Sequence, residues 1–291
     1  MLLQQIINGL TQGSIYALVA IGFALIFGVL GLVNFAHGEV YMVGAFLGFI
    51  LIALFHLPFL PALVLAMVGA AALGVVVEFV AFRTLRRAPD VAPMVCTLGL
   101  SVVLQNVVML VMGSDTKSLP VDISTGDLIP LWNAQISGSQ LVIFAVSIAL
   151  MVLLQFILYR SRMGKAIRAT AQNKDAASLM GVNINRVISA TFALGSALGG
   201  AAGVLVGMYY NAFYPMMGFT AGLKAFTATV FGGLTSVPGA VVGGLIIGVA
   251  ENLGAAYISS GYRDMIAFFI LILVLLVKPS GLFGRDPQGK V

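Results

Sequence analysis

The chain has 291 residues, 60% of them hydrophobic and 9% charged, with a mean hydropathy of +1.08. A soluble domain averages about 25% charged residues, so this composition excludes a soluble globular protein, a disordered chain, a collagen and a disulfide scaffold, and indicates an all-α polytopic membrane protein. The net charge of +5 is not a nucleic-acid footprint, because 12 of the 15 Lys and Arg fall in three patches between or after apolar runs: Arg83–Arg87, Arg160–Arg186 and Lys278–Lys290. That is the distribution of the positive-inside rule, not a basic face with stacking aromatics.

In chain order, Met1–Ala36 carries no Asp, Glu, Lys, Arg or His, and Gly13–Val33 is the first span. Val40–Phe55 is a shorter apolar run closed by His56, Pro58 and Pro61. Phe59–Phe82 follows, with Glu78 near its end, then Met94–Met112. Gly113–Gly138 is polar but not basic, holding Asp115, Asp122 and Asp127 against Lys117. Ser139–Leu158 and Val187–Tyr209 are clean spans either side of the basic segment 159–186. Asn211–Lys224 reads as a loop with Pro215 and several glycines, Ala225–Asn252 as an apolar run broken by glycines, and Met265–Val277 as a short span that starts nearer Ile258. The basic patches place Arg83–Asp90, 159–186 and 278–291 in the cytoplasm and Gly113–Gly138 outside. An even number of crossings must then join Asn211 to Ser259, so Ala225–Asn252 forms two short crossings or one re-entrant excursion. The expectation is a single transmembrane domain over residues 1–291, of about eight or nine helices spanning roughly 20 residues each, some short or broken. The C-terminus is expected in the cytoplasm, and three segments before Arg83 put the N-terminus outside unless Val40–Phe55 is re-entrant. A weak match between Gly31–Gly38 and Gly233–Gly239, each followed by a glycine-containing apolar helix, suggests an internal repeat of the kind found in transporters.

Several residues stand out chemically. Asn34, His37, Gly38 and Glu39 form a polar strip between apolar runs. It is either a discontinuous helix on a translocation path or an interfacial loop, because ionisable groups at membrane depth usually face the interior or water. Glu251 and Asn252 interrupt an apolar run and either belong to that path or pair with Lys224 or Arg263. Asn106 and Gln105 are mid-span amides that line the path or bond between helices. Glu78 lies close enough to Arg83 to pair with an arginine or snorkel. Cys96, the only cysteine, reads as a small buried hydrophobe. No phosphate-binding G-x-x-x-x-G-K-[ST] loop, H-E-x-x-H or G-x-S-x-G motif occurs, and His37 and His56 offer no shared metal site. The chain is therefore expected to bind no cofactor or metal and to catalyse no reaction itself.

The basic segment is longer than a connection needs. It contains Asp175-Ala176-Ala177, then Gly181 after three residues, with Arg168 and Lys174 before them; a short helix closed by Gly181 would present small residues to another protein. This resembles the "EAA" signature of ABC-importer permeases, matching at Ala176, Ala177 and Gly181, with Asp175 for the usual Glu. The Ile-x-Leu-Pro that often follows is replaced by Thr191-Phe192-Ala193-Leu194. Val33–Met42, Arg162–Arg168, Gly222–Thr227 and Phe231–Leu234 with Pro238–Ala240 resemble the branched-chain amino acid permease family across essentially the whole chain. The resemblance implies a bacterial inner-membrane subunit in contact with lipid. It implies a homologous second permease, two cytoplasmic ATP-binding subunits that hold ATP and Mg, and a periplasmic substrate-binding protein. It further implies ATP-driven alternating access, with Arg168, Lys174, Asp175, Ala176, Ala177 and Gly181 contacting the ATPases. Related permeases for urea or short amides share much of the pattern. An ion-coupled secondary transporter using Glu39 or Glu251 is the alternative of another class.

Overall fold

A computed structural model describes residues 1–85, 88–119, 129–131 and 134–284. Arg86, Arg87, Asp122, Asp127, Arg285 and Lys290 lie outside the described residues. Apart from a two-stranded antiparallel hairpin, Ile129–Leu131 with Ala134–Ile136, the regular structure is helical. The helices are α1 Leu2–Leu30, α2 His37–Ala53, α3 Phe59–Val77, α4 Val91–Met112, α5 Gly138–Arg160, α6 Arg162–Gln172, α7 Lys174–Leu179, α8 Ile184–Tyr210, α9 Met217–Gly232, α10 Val237–Tyr257 and α11 Arg263–Val277. A π-helical turn, Glu78–Arg83, extends α3. Among the described residues seven helical stretches are long and apolar enough to cross a membrane, with α2 a shorter apolar helix beside them. The protein is an all-α polytopic membrane protein.

The two ends of the bundle differ in chemistry. At one end, Gln4 at the start of α1 exchanges side-chain hydrogen bonds with the Gln135 backbone of the hairpin, and Asn211 Oδ1 accepts from the Leu119 N–H at 2.7 Å. At the other, Lys174 Nζ donates to the Leu30 carbonyl at the end of α1. A cleft there brings Leu30, Leu85, Asp90, Lys174 and Ile184 together, and another joins Arg168 and Gln172 to Phe283. The described residues of the three basic patches thus flank one end, the basic end, as their charge predicts.

α1 and α8 form the centre, with 83% and 72% of their apolar windows buried, whereas the windows of α4 and α11 are each 11% buried and leave their apolar faces to lipid. α1 runs toward the basic end and α8 runs away from it. α1 packs chiefly on α10, and α8 on α3 and α2. The α1–α10 crossing is built from Gly9, Gly13 and Ala17 against Gly244 and Gly248. A Cβ on Gly13 would lie 2.8 Å from Leu245 Cα, and one on Gly244 would lie 2.6 Å from Ala17 N. Where lipid is as apolar as the helices, such close backbone approach is what dispersion needs.

The repeat exists, but in a different register from the Gly31–Gly38/Gly233–Gly239 match. Each equivalent residue lies 180 positions later: α1 closes on left-handed Gly31 and α8 on left-handed Asn211, and α2 starts at His37 and α9 at Met217. The intervening turns are alike, with His37 N–H to Asn34 O and Met217 N–H to Tyr214 O. The equivalent glycines Gly38 and Gly218 pack on each other; a Cβ on Gly218 would sit 2.6 Å from the Gly38 carbonyl oxygen. Because α1 and α8 run in opposite directions, the repeat is inverted. The sequence reading placed the glycine-rich 217–224 in a loop. It is instead the first half of α9, because the close contact with α2 outweighs the low helix propensity of glycine. Ala225–Asn252 is accordingly two helices joined at Gly233–Ser236, and α11 begins at Arg263, later than Ile258.

Candidate functional site

The basic end presents α6 and α7. Ser161 Oγ caps α6 by accepting from Gly164 N–H, and Asn173 Oδ1 caps α7 by accepting from Ala176 N–H. At the far end of α7, Gly181 N–H reaches the Ser178 carbonyl and Val182 N–H the Ala177 carbonyl, with Gly181 at φ +83°. These two bonds and the left-handed glycine form a Schellman closure. Ala177 is buried against the body, whereas Asp175, Ala176 and Gly181 are exposed. Leu179 and Met180 are 88% and 85% exposed, an apolar pair at the tip of a basic surface. The Arg168 guanidinium lies 4.6 Å from the Tyr159 ring centroid, and Lys174 is committed to Leu30. Neither Leu179 nor Met180 was singled out in the sequence, where they read as ordinary apolar residues.

The interior holds a polar chain from four helices. Lys224 of α9 pairs with Glu251 of α10 at 3.1 Å and with Asp264 of α11 at 2.7 Å. Tyr16 of α1 donates to Glu251 Oε2 at 3.0 Å, and Gln12 donates to Tyr16 and, at 3.3 Å, to Glu251. Asn252 returns a bond to Gln12 Oε1 at 3.0 Å. Glu251 is fully buried and Lys224 nearly so. Charges that deep persist because they are paired and hydrogen-bonded. Lys224 pairs with Glu251 as the sequence alternative allowed, but in the interior.

A cavity of about 460 Å³ opens at the hairpin end beside this chain, lined by Tyr16, Tyr210, Tyr214, Lys224, Arg263 and Asp264 among others. Its walls come from α1, α2, α8, α9 and α11, so it lies between the two repeats. A second cavity of about 680 Å³ opens at the basic end, bounded by Ala24, Leu25 and Gly28 of α1 and by Arg168, Ser236 and Pro238. Between the two, Leu18, Val19, Ala20 and Ile21 of α1 are sealed in the core.

The strip at the start of α2 is wholly internal. His37 and Glu39 are fully buried. His37 stacks edge-on to Phe23 at 4.7 Å and fills space left by the glycines at 22 and 199. Glu39 Oε1 accepts from Ser101 at 3.0 Å and Gln105 at 2.7 Å. Asn34 Oδ1 turns back to Ala36 N–H, and Gly38 meets α9. The strip is not an interfacial loop. Asn106 faces outward, its amide bonded to its own helix at Val102 O, so the structure joins Gln105, and not Asn106, to the buried carboxylate. Glu78 is likewise buried and accepts from Ser189 at 2.9 Å. Among the described residues no cluster of three or more His, Cys, Asp or Glu is arranged for a metal.

An inverted repeat of membrane helices, with a charged cavity between the halves, defines a membrane transport permease. Residues 5–275 match the family described as the permease component of the branched-chain amino acid transport system, and the chain belongs to it. It is 44% identical, over 99% of its length and 98% of the relative's, to the high-affinity branched-chain amino acid transport system permease protein BraD of Pseudomonas aeruginosa. It is 43% identical to LivH of Escherichia coli K12, covering 99% of this chain and 97% of that one. It is 30% identical to the probable branched-chain amino acid transport permease protein LivH of Methanocaldococcus jannaschii, covering 96% and 91%.

Proposed function

We propose that this chain is a permease subunit of an ABC importer and carries branched-chain amino acids across the cytoplasmic membrane by alternating access. The observation that carries the reading is the pair of cavities at opposite ends of α1, closed from each other by Leu18–Ile21, in a chain of this family. The basic end is cytoplasmic, so the N-terminus is external and the C-terminus internal. A substrate-binding protein delivers solute at the hairpin end. Two ATP-binding subunits, which hold ATP and Mg, engage α7, where the exposed Leu179 and Met180 offer an apolar knob and Ala176 permits close approach. A homologous second permease completes the membrane dimer. Movement of α6–α7 is transmitted directly: Lys174 grips the end of α1, the helix that walls both cavities.

The test is co-purification of the tagged chain from gently solubilised membranes, with Gly181→Trp beside it, together with leucine uptake. Recovery of ATP-binding subunits with the parent chain and their loss with Gly181→Trp is expected. ATP-binding subunits retained by the variant would refute the docking role of α7. Uptake that persists without any ATP-binding subunit would instead favour an ion-coupled carrier.

A further inference from the structure

We infer that the cavity at the hairpin end is a receiving site for one whole amino acid, its charged head held by Lys224, Arg263 and Asp264 and its branched tail by the apolar wall; the inference rests on the transport reading above. A volume of about 460 Å³ lies within the range of small-molecule sites. The charged side chains that line it are Lys224, Arg263 and Asp264, with Glu251 directly behind Lys224 at 3.1 Å. Two cations therefore face two carboxylates. A solute bearing one net charge unbalances this set, whereas a zwitterion adds one charge of each sign. Ile15, Val206, Met217 and Ala221 add apolar lining beside the charges, so the cavity offers both kinds of surface that an amino acid with an aliphatic side chain presents.

The geometry also provides a way in. Lys224 holds Glu251, which is fully buried, and Asp264, whose side chain is 59% exposed. An incoming carboxylate can displace Asp264 from Lys224 while Lys224 keeps Glu251. Asp264 then takes the ligand ammonium, and Arg263 adds a donor to the ligand carboxylate. Each charge exchanges one partner for another, so no buried group is stripped of its counter-ion. Such an exchange gains little net energy, because the pair it makes at the exposed Asp264 is as wet as the one it breaks. The site therefore binds weakly, as suits one that must pass its solute on.

The test uses the full chain in lipid nanodiscs and saturation-transfer NMR with three probes at millimolar concentration: L-leucine, 3-methylbutylamine, which lacks the carboxylate, and 4-methylpentanoate, which lacks the ammonium. Leucine should give signal, and each single-charge analogue should bind roughly tenfold more weakly. Ala221→Leu should abolish the leucine signal by filling the cavity. Asp264→Asn, at an exposed position, removes both the partner of the ammonium and the competitor of the carboxylate, so it should weaken leucine relative to 4-methylpentanoate, which should bind at least as well as before; it decides the matter should Ala221→Leu not fold. Analogues that bind as well as leucine, or a leucine signal unaffected by both substitutions, would overturn the site. Leucine uptake by the assembled importer separates the two readings. Normal uptake with Ala221→Leu folded leaves the importer standing and removes the site. Binding at the site without any uptake by the parent complex removes the importer reading instead.

Discussion

Lys224 and Glu251 are worth more to each other than either is to the fold. Removing one partner of a buried ion pair typically costs about 3–5 kcal/mol, because the other charge is stranded. Lys224→Met is expected to lower the thermal midpoint sharply, and Lys224→Met with Glu251→Gln to recover most of the loss, as read by thermal unfolding in detergent; equal losses in both would show that the charges are not coupled. Glu39 poses a milder case, because one oxygen accepts both Ser101 and Gln105. Glu39→Gln keeps an acceptor there and should be tolerated, whereas Glu39→Leu leaves two donors unmet, at about 1–3 kcal/mol each; the same unfolding assay distinguishes them. These carboxylates were legible in the sequence because a charge in an apolar run is conspicuous. Their neutral partners Gln12 and Tyr16 were not, since nothing along α1 says which face meets α10. Gln105 and Asn106 show the limit most plainly. They are adjacent on one helix, about 100° apart around it, and only the packed structure tells which one looks inward.

Among the elements, the α1–α10 crossing depends on glycines that admit no side chain. Gly248→Val is predicted to prevent the crossing and abolish recovery of folded protein by size-exclusion chromatography. Gly28→Ala, also on α1 but with open space around its Cβ position, should leave the protein intact and gain up to about 1 kcal/mol from helix propensity. α7 makes a contrasting demand. Gly181 has ample room but φ +83°, so Gly181→Asn should be accepted and Gly181→Val should fray α7, which hydrogen exchange of Ala177–Val182 would report. The short helix and its glycine stop were readable because capping chemistry is local. α9 was not, because its glycines serve a contact with α2, 180 residues away in the repeat, and local propensity alone calls such a stretch a loop. The long spans, by contrast, followed from hydrophobic length, which needs no knowledge of packing, although seven such stretches and the shorter α2 stand among the described residues where eight or nine were expected.

The whole molecule pairs two antiparallel halves whose chemistry has diverged: the position equivalent to Lys224 is Gly44, so the charged chain belongs to one half alone. The arrangement makes a sided prediction. In a Cys96→Ser background, Ala212→Cys should react with impermeant maleimide in intact cells, Ala171→Cys only in inverted vesicles, and Ile21→Cys in neither. The reverse pattern for the first two would invert the proposed orientation. The α1–α10 crossing has one more consequence, which concerns biosynthesis. α1 leaves the ribosome well before α8 and α10, the helices that cover it. Until Val237–Tyr257 enters the bilayer, the small-residue groove of α1 has only lipid or an insertase to lie against. A nascent chain stalled before that point is therefore an unfinished membrane protein with its central helix uncovered, and it should be a preferred substrate for membrane quality-control proteolysis.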